Sequence, residues 1–253
     1  MIAKTQEQID ALRVAGRALA EVLRDLSALV APGVTTAALD IVAEEGVRNR
    51  GCTPAFLGYK PDGASRPFPA VLCVSINDEV VHGIPSQNRV LEEGDTISLD
   101  LGLSYQGYFV DSAVTVCVGE CDAAAKKLLE ATREALGAAI KAAKVGGRLG
   151  DIGAAVEEVA TRTKFAIVED LGGHAVGKAV HEKPFIANFG KAGTGEKIVE
   201  GMVLALEPMF AEGKGAIILS EDEWTYKMHD GGRAAHFEHT ILVTKDGPEI
   251  LTK

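Results

Sequence analysis

Apolar residues recur along this chain with two periods, one helical and one of strands. Thr5-Gln6-Glu7-Gln8 has the form of a capping box, and Ile9, Leu12, Leu19, Val22, Leu23, Leu26 and Leu29 follow at helical spacing. Pro32-Gly33 stops that helix, and a second is expected from Thr36 to about Arg50, with Gly51 after it. The period then falls to two. A strand over Val71–Ile76 leads through His82-Gly83-Ile84-Pro85 to Ile97, Leu99, Leu101 and Leu103. Beyond a turn containing Gly107, Val110, Val114, Val116 and Val118 continue the alternation, so the two stretches read as a β-hairpin with one buried face per strand. The order then restarts. Asp122 caps an alanine-rich helix to about Lys144, Gly146-Gly147 interrupts it, and another helix covers Asp151 to Thr163. Phe165–Val168 reads as a strand, and Gly201–Glu207 and His236–Val243 as a second strand pair. A shift of 113 residues aligns the two blocks weakly, with Gly33 on Gly146, Leu39 on Ile152 and Glu44-Glu45 on Glu157-Glu158. A duplicated unit is expected, with halves of about 1–120 and 121–253 each supplying a hairpin to a shared sheet.

The first hairpin carries an unusual pair. Asp100 and Asp111 lie on the faces opposite the apolar ones, among Thr96, Ser98, Gly102, Ala113 and Thr115. With Tyr105 and Gln106 as the central turn residues, the aspartates stand directly opposite each other, with Cβ atoms about 4.5–5.5 Å apart, where like charges repel. A shared proton, a cationic side chain or a metal would offset that repulsion. The plain alternative is a solvated hairpin whose acids face water, but the small neighbours favour a recess.

Composition narrows the classes. A chain of 253 residues with 47% hydrophobic content can bury a large core. A formal charge of −10 argues against a general nucleic-acid binder, whose affinity rests on neutralising phosphates. No signal-peptide core opens the chain and no apolar run approaches membrane-spanning length, so a cytoplasmic protein with no membrane partner is expected. Cys117 and Cys121 are neighbours, but no second pair completes a zinc-type spacing, so free thiols in a reducing compartment are expected.

Three further segments hold candidate ligands. His174 is glycine-flanked in Gly172-Gly173-His174-Ala175-Val176-Gly177, as where backbone must approach another group closely. Glu207 ends a strand before Pro208, which favours extended geometry, and Glu238 shares a face with His236 and Thr240. Each alone has a structural explanation. Together, four carboxylates and one imidazole cannot share an interior without compensating positive charge. Two divalent cations would supply it, and oxygen ligands with one nitrogen suit Mn, Fe, Co or Zn.

The order Asp100–Asp111–His174–Glu207–Glu238, with ten residues between the aspartates, resembles the metal-site pattern of the methionine aminopeptidases. The likeness extends over Ser75-Ile76-Asn77, His82–Pro85, Gly173-His174, His181-Glu182-Lys183-Pro184, Leu206–Met209 and Glu238-His239-Thr240. No long insertion separates the second-half motifs, as in type I forms, and the start close to the first helix is similar to bacterial forms without an N-terminal extension. The resemblance implies an α+β pita-bread fold: a pseudo-two-fold pair of αβ halves around a central, mainly antiparallel sheet, forming one catalytic domain over 1–253. It implies a cytosolic, dinuclear enzyme that removes the initiator methionine from peptides and nascent chains with a small second residue. By that resemblance Asp100 would hold one metal ion, His174 and Glu207 the other, and Asp111 and Glu238 both. Glu207 would carry the proton, and His82 and His181 would contact the scissile amide. The methionine pocket would include Tyr59, Phe68, Cys73 and Trp224, with Phe56 and Val180 nearby. A monomer acting near the ribosome exit, without direct nucleic-acid binding, is the expected setting.

Two departures from the family pattern stand out. Ala175 and Val176 replace the common Gly-Ile after the ligand histidine, which would reshape the loop slightly, and the loop 61–67 is longer than in short bacterial forms. Two other readings compete. X-Pro peptidases of the same fold usually carry a further N-terminal domain of a hundred or more residues, for which this chain has no room. Non-catalytic pita-bread binding modules typically lose metal ligands, whereas this chain keeps all five.

Overall fold

The computed structural model describes residues 1–253. In the first half α1 (Gln6–Leu29) and α2 (Thr36–Asn49) precede β1 (Thr53–Pro54), β2 (Leu72–Ile76), β3 (Glu79–Val81), β4 (Thr96–Tyr105) and β5 (Tyr108–Cys117). In the second, α3 (Ala123–Ala142) and α4 (Leu149–Thr163) precede β6 (Ala166–Ile167), β7 (Gly172–Ala175), β8 (Glu182–Ala187), β9 (Val203–Leu206) and β10 (Met209–Ala211). Five short strands complete the chain: β11 (Ile217–Leu219), β12 (Tyr226–Met228), β13 (Ala234–His236), β14 (His239–Thr244) and β15 (Gly247–Ile250). Every pairing is antiparallel. The two larger sheets run β1-β4-β2, with β5 on β4, and β15-β14-β9-β7-β8.

Local signals explain the helices. The capping box of α1 forms in both directions, with Thr5 Oγ1 accepting from the Gln8 N–H and Gln8 Oε1 from the Thr5 N–H. Leu12, Leu19, Val22 and Leu26 then lie buried against Leu99, Leu101 and Val110 of the hairpin. In the second half Asp122 caps α3 through the Ala125 N–H at 2.7 Å, and α3 and α4 bury Leu128, Ile152 and Val156 with Leu204 and Ile241. The first core also takes in Val176, Val203 and Leu242, so the halves share an interior. The expected shift between them is visible in the backbone. Gly33 and Gly146 take φ of 88° and 89°, and the caps that follow, Thr35 and Arg148, open α2 and α4.

The hairpin differs from expectation at its turn. Tyr105 pairs with Tyr108, so the central residues are Gln106 and Gly107, both at positive φ as a type I′ turn requires. Asp100 therefore faces Ala113, and Asp111 faces Gly102. The aspartates share a face as diagonal neighbours rather than direct opposites. The diagonal offset does not separate the carboxylates: their ligand atoms still lie within 4.8 Å of each other, and the charge of Asp111 helps to raise Asp100.

The second strand pair is also more broken than its periodicity predicts. One strand over His236–Val243 is replaced by β13 and β14, which pair with β10 and β9 respectively, so the chain changes sheets at Phe237-Glu238. Its partner ends at Glu207-Pro208 as the sequence predicts, since proline has no N–H to offer a ladder. Both points fall on candidate ligands. The expected neighbours Cys117 and Cys121 come together across the turn after β5, with Cα atoms 5.7 Å apart, a spacing that a disulfide can span, while Cys52 and Cys73 are buried thiols.

Hydroxyl groups close the seam between the halves. Thr240 Oγ1 accepts from the Asp111 N–H at 2.9 Å and donates to the Asp111 carbonyl at 2.7 Å. Ser112 Oγ donates to the Glu238 carbonyl, and Thr115 Oγ1 bonds both the N–H and the carbonyl of His236. Ala113 and Glu238 also exchange backbone bonds, each N–H donating to the other's carbonyl. The seam thus aligns β5 with the β13–β14 break, bringing Asp111 beside Glu238.

Candidate metal centre

Five elements meet at this seam. β4 supplies Asp100, β5 Asp111, β7 His174, the end of β9 Glu207, and the β13–β14 break Glu238. Side-chain ligand atoms of Asp100, Asp111 and Glu238 lie within 4.8 Å of one another, as do those of His174, Glu207 and Glu238. Two triads therefore share Glu238. A third grouping within the same distance joins Asp111 and His174 to His181. Proximity alone thus does not separate His181 from the five candidate ligands.

The buried oxygens fit cations. Asp100 Oδ1, Asp111 Oδ1 and Glu238 Oε1 have no hydrogen-bond partner, and no lysine or arginine lines the cavity around them. An isolated buried carboxylate is costly, so these groups must either bind a proton or face positive charge. Burial and then the charge of Glu207 push Asp111 up to about 8. Burial likewise pushes Asp100, Glu207 and Glu238 well above the carboxylate range, with neighbouring acids adding to the shift at Asp100 and Glu238. Hard oxygen donors and one imidazole fit a divalent transition ion better than a thiolate-loving one.

His174 is already oriented for such a role. Its Nδ1 lies 3.0 Å from the Ala175 carbonyl, which can only accept, so Nδ1 carries the proton. The Nε2 lone pair then faces the cluster, 3.4 Å from Glu207 Oε1. Burial holds this imidazole neutral, with its pKa lowered to about 3. Gly173 is required beside it, since a Cβ there would stand 2.4 Å from the Ala205 carbonyl oxygen. Ala175 sits in β7, outside the positive-φ residues, so replacing the family's glycine does not demand a reshaped loop.

Two more histidines flank the cluster. His181 stacks edge-on against His174 at 4.5 Å between centroids, and its Nδ1 lies 2.8 Å from the Tyr59 hydroxyl. Glu182 holds the preceding turn by accepting from the Lys178 and Ala179 N–H groups. His82 is in the left-handed region at φ 60°, clamped by its surroundings. Its carbonyl accepts from Thr225 Oγ1 at 3.5 Å, and the Trp224 and Tyr226 rings stand edge-on at 6.1 and 5.9 Å. Burial lowers both histidines to about 4, helped at His82 by the charges of His181 and His236.

An apolar cavity of about 270 Å³ opens beside the cluster. Tyr59, Phe68, Cys73, His82, His181 and Trp224 all line it, together with Phe56 and the five candidate ligands. Val180 belongs to the apolar wall behind it. Phe68 meets Phe56 and Trp224 edge-on at 6.5 and 5.2 Å. The long 61–67 loop is pinned to the Trp224 turn, Ser65 donating to Glu223 and Arg66 to the Asp222 carbonyl. Met209, at the end of the Leu206–Met209 motif, also lines the cavity, as do Leu171 and Phe185, which no sequence signal singled out. His236 was visible only as a neighbour on the Glu238 face. The structure places its Nε2 3.2 Å from Glu207 Oε2.

Known proteins match the chain over nearly its whole length. The model of metallopeptidase family M24 matches residues 10–245. A methionine aminopeptidase of Aquifex aeolicus is 46% identical over 98% of this chain and 97% of its own length. The crystal structure of a methionine aminopeptidase from Thermotoga maritima superposes with a TM-score of 0.95 at 43% identity, each chain covered completely. A prolidase from Pyrococcus horikoshii shares the fold, with a TM-score of 0.75 at 23% identity, but this chain covers only 63% of it. The architecture is α+β and of the pita-bread type.

Proposed function

The chain belongs to metallopeptidase family M24, and from that premise we propose that it is a metal-dependent aminopeptidase removing N-terminal methionine. The observation that carries the reading is the pair of buried ligand triads sharing Glu238 and opening onto an apolar, aromatic-walled cavity. Its substrates are peptides and nascent chains with a small second residue. No helix is long and apolar enough to cross a membrane. We place the protein in the cytoplasm, as a monomer working near the ribosome exit.

Asp100 would hold one divalent ion, His174 and Glu207 a second, and Asp111 and Glu238 both, with Mn, Fe, Co or Zn as candidates. Bound there, the ions supply positive charge that keeps the carboxylates ionised and makes water acidic enough to attack near neutral pH. The methionine side chain enters the cavity, where Phe68 and Trp224 offer aromatic contacts to its sulfur and Tyr59 and Cys73 complete the wall. Glu207 takes the proton of the attacking water on its carboxylate and delivers it to the leaving amine. His82 and His181 are neutral at pH 7 and contact the scissile amide. Donation from the Tyr59 hydroxyl to His181 Nδ1 leaves the proton on Nε2, the tautomer that can donate to the developing oxyanion.

The test uses metal-reconstituted protein against Met-Gly-Met-Met and Arg-Pro-Pro. Release of methionine from the first only, abolished by chelator and restored by Mn, Fe or Co, is the expected result. Cleavage of the proline peptide alone would replace the reading with an X-Pro peptidase. Turnover undiminished in excess chelator, with metal absence confirmed, would refute metal dependence.

A further inference from the structure

His236 is buried more deeply than any of the five candidate ligands, at 1% exposure, yet nothing in the proposed chemistry uses it. Its backbone is fixed on both sides by Thr115 Oγ1, at 2.9 Å from the N–H and 2.7 Å from the carbonyl, and by the β10–β13 register opposite Met209. Neither ring nitrogen completes a hydrogen bond, and Nε2 points at Glu207 Oε2 across 3.2 Å. A buried imidazole with no partner bears its whole desolvation penalty, so a partner in the working protein is expected. The other oxygen of the same carboxylate, Oε1, stands 3.4 Å from His174 Nε2. Glu207 is thus flanked by two imidazoles, one per oxygen.

We infer that His236 is a positioning residue for Glu207, donating Nε2–H to Oε2 and so presenting Oε1 on the His174 side of the cluster. A carboxylate can only accept, which assigns the proton of the neutral ring to Nε2. A glutamate has three side-chain torsions, and Glu207 follows a strand end rather than sitting in a ladder. Without a donor behind it the carboxylate can rotate, and a group asked both to ligate and to carry a proton loses its aim. Partners behind a ligand characteristically change metal affinity or activity by about 10–100-fold. The inference rests on the reading of Glu207 as a ligand.

The experiment compares His236→Gln, His236→Met and Glu207→Gln in the full chain. Each is stripped of metal and titrated with Mn(II) by calorimetry, followed by steady-state kinetics. His236→Gln keeps an N–H near the Nε2 position and should bind Mn(II) and turn over within a few-fold of wild type. His236→Met fills the space without a donor; its affinity for one ion should weaken about 10–100-fold and its kcat should fall, with KM little changed. Wild-type binding and turnover in His236→Met overturns the inference. Equal loss in folded His236→Gln and His236→Met also overturns it, because packing rather than donation would then be at stake. If His236→Met does not fold, His236→Asn replaces it; its shorter amide falls short of Oε2, so loss there with retention in His236→Gln supports the inference and equal retention overturns it. Unchanged Mn(II) binding in Glu207→Gln would instead remove the ligand reading itself, whatever the His236 variants do.

Discussion

Raising the pH should destabilise the metal-free protein between about 6.5 and 8 and stabilise the metal-loaded one. Asp111 is pushed up from 3.8 to about 8, by burial first and by Glu207 second. Unfolded, it ionises near its ordinary value, so across the interval the unfolded chain has given up a proton that the folded chain keeps. Stability is then lost as pH rises, by about 1.4 kcal/mol per pH unit for each such group. Asp100, Glu207 and Glu238 are raised as well and act in the same direction. Below about 6.5 they are opposed by five buried imidazoles, His82, His174, His181, His236 and His239, which burial lowers to about 3 or 4. There the unfolded chain takes up protons that the folded chain refuses, and stability rises with pH. At 6.5 the unfolded histidines are still half protonated, so their opposition fades only through about 7.5; it is smaller than the summed effect of the four raised carboxyls, which acts alone above that. For Asp111 alone, the remaining distance of about 1.5 pH units amounts to about 2 kcal/mol. Urea melts in excess chelator at the two ends of the window measure it. The Asp111→Asn variant should show a shallower loss, and Mn(II) should reverse the slope, because ligation requires the ionised carboxylates and releases their protons. A chelated protein whose stability is flat or rises from 6.5 to 8 would refute this account of the cluster.

Three further outcomes are expected. Thr240→Val removes the hydroxyl that bonds both backbone groups of Asp111, and should cost about 1–3 kcal/mol in urea melts and lower metal content; unchanged metal content would show that the seam does not align the ligand. His181→Ala should keep its metal and lose about 10²–10³ in kcat, whereas His174→Ala should lose one ion and recover partly at high metal concentration. Equal metal loss in the two would make His181 a ligand, as its distance to Asp111 and His174 permits. Trp224→Ala opens one wall of the apolar cavity and should raise KM for a methionyl peptide more than it lowers kcat, with thermal melts confirming a folded protein.

How far these features can be read along the chain depends on how local they are. The capping box at Thr5, the cap at Asp122 and the apolar periods of α1 and the first hairpin follow from residues a few positions apart, and each forms where the pattern puts it. The repeated helix–helix–strand order is legible for the same reason, down to the matching glycines 33 and 146. The five candidate ligands could be named as a set from the sequence because their order and spacing resemble the methionine aminopeptidase pattern, and because so many carboxylates would need positive charge if they shared an interior. Their mutual arrangement was not legible. One residue of uncertainty in the turn at Gln106-Gly107 converts opposed aspartates into diagonal ones, since register shifts the partner of every residue in the ladder. Alternation could not reveal the break at Glu238 either, because its cause is a change of partner strand from β10 to β9. The approach of Cys117 to Cys121, the pinning of the 61–67 loop to Asp222 and Glu223, and the approach of His236 to Glu207 all depend on where the backbone turns or which segments meet. Short-range periodicity reports which face of an element is buried; only the packed chain decides what each buried polar atom meets there.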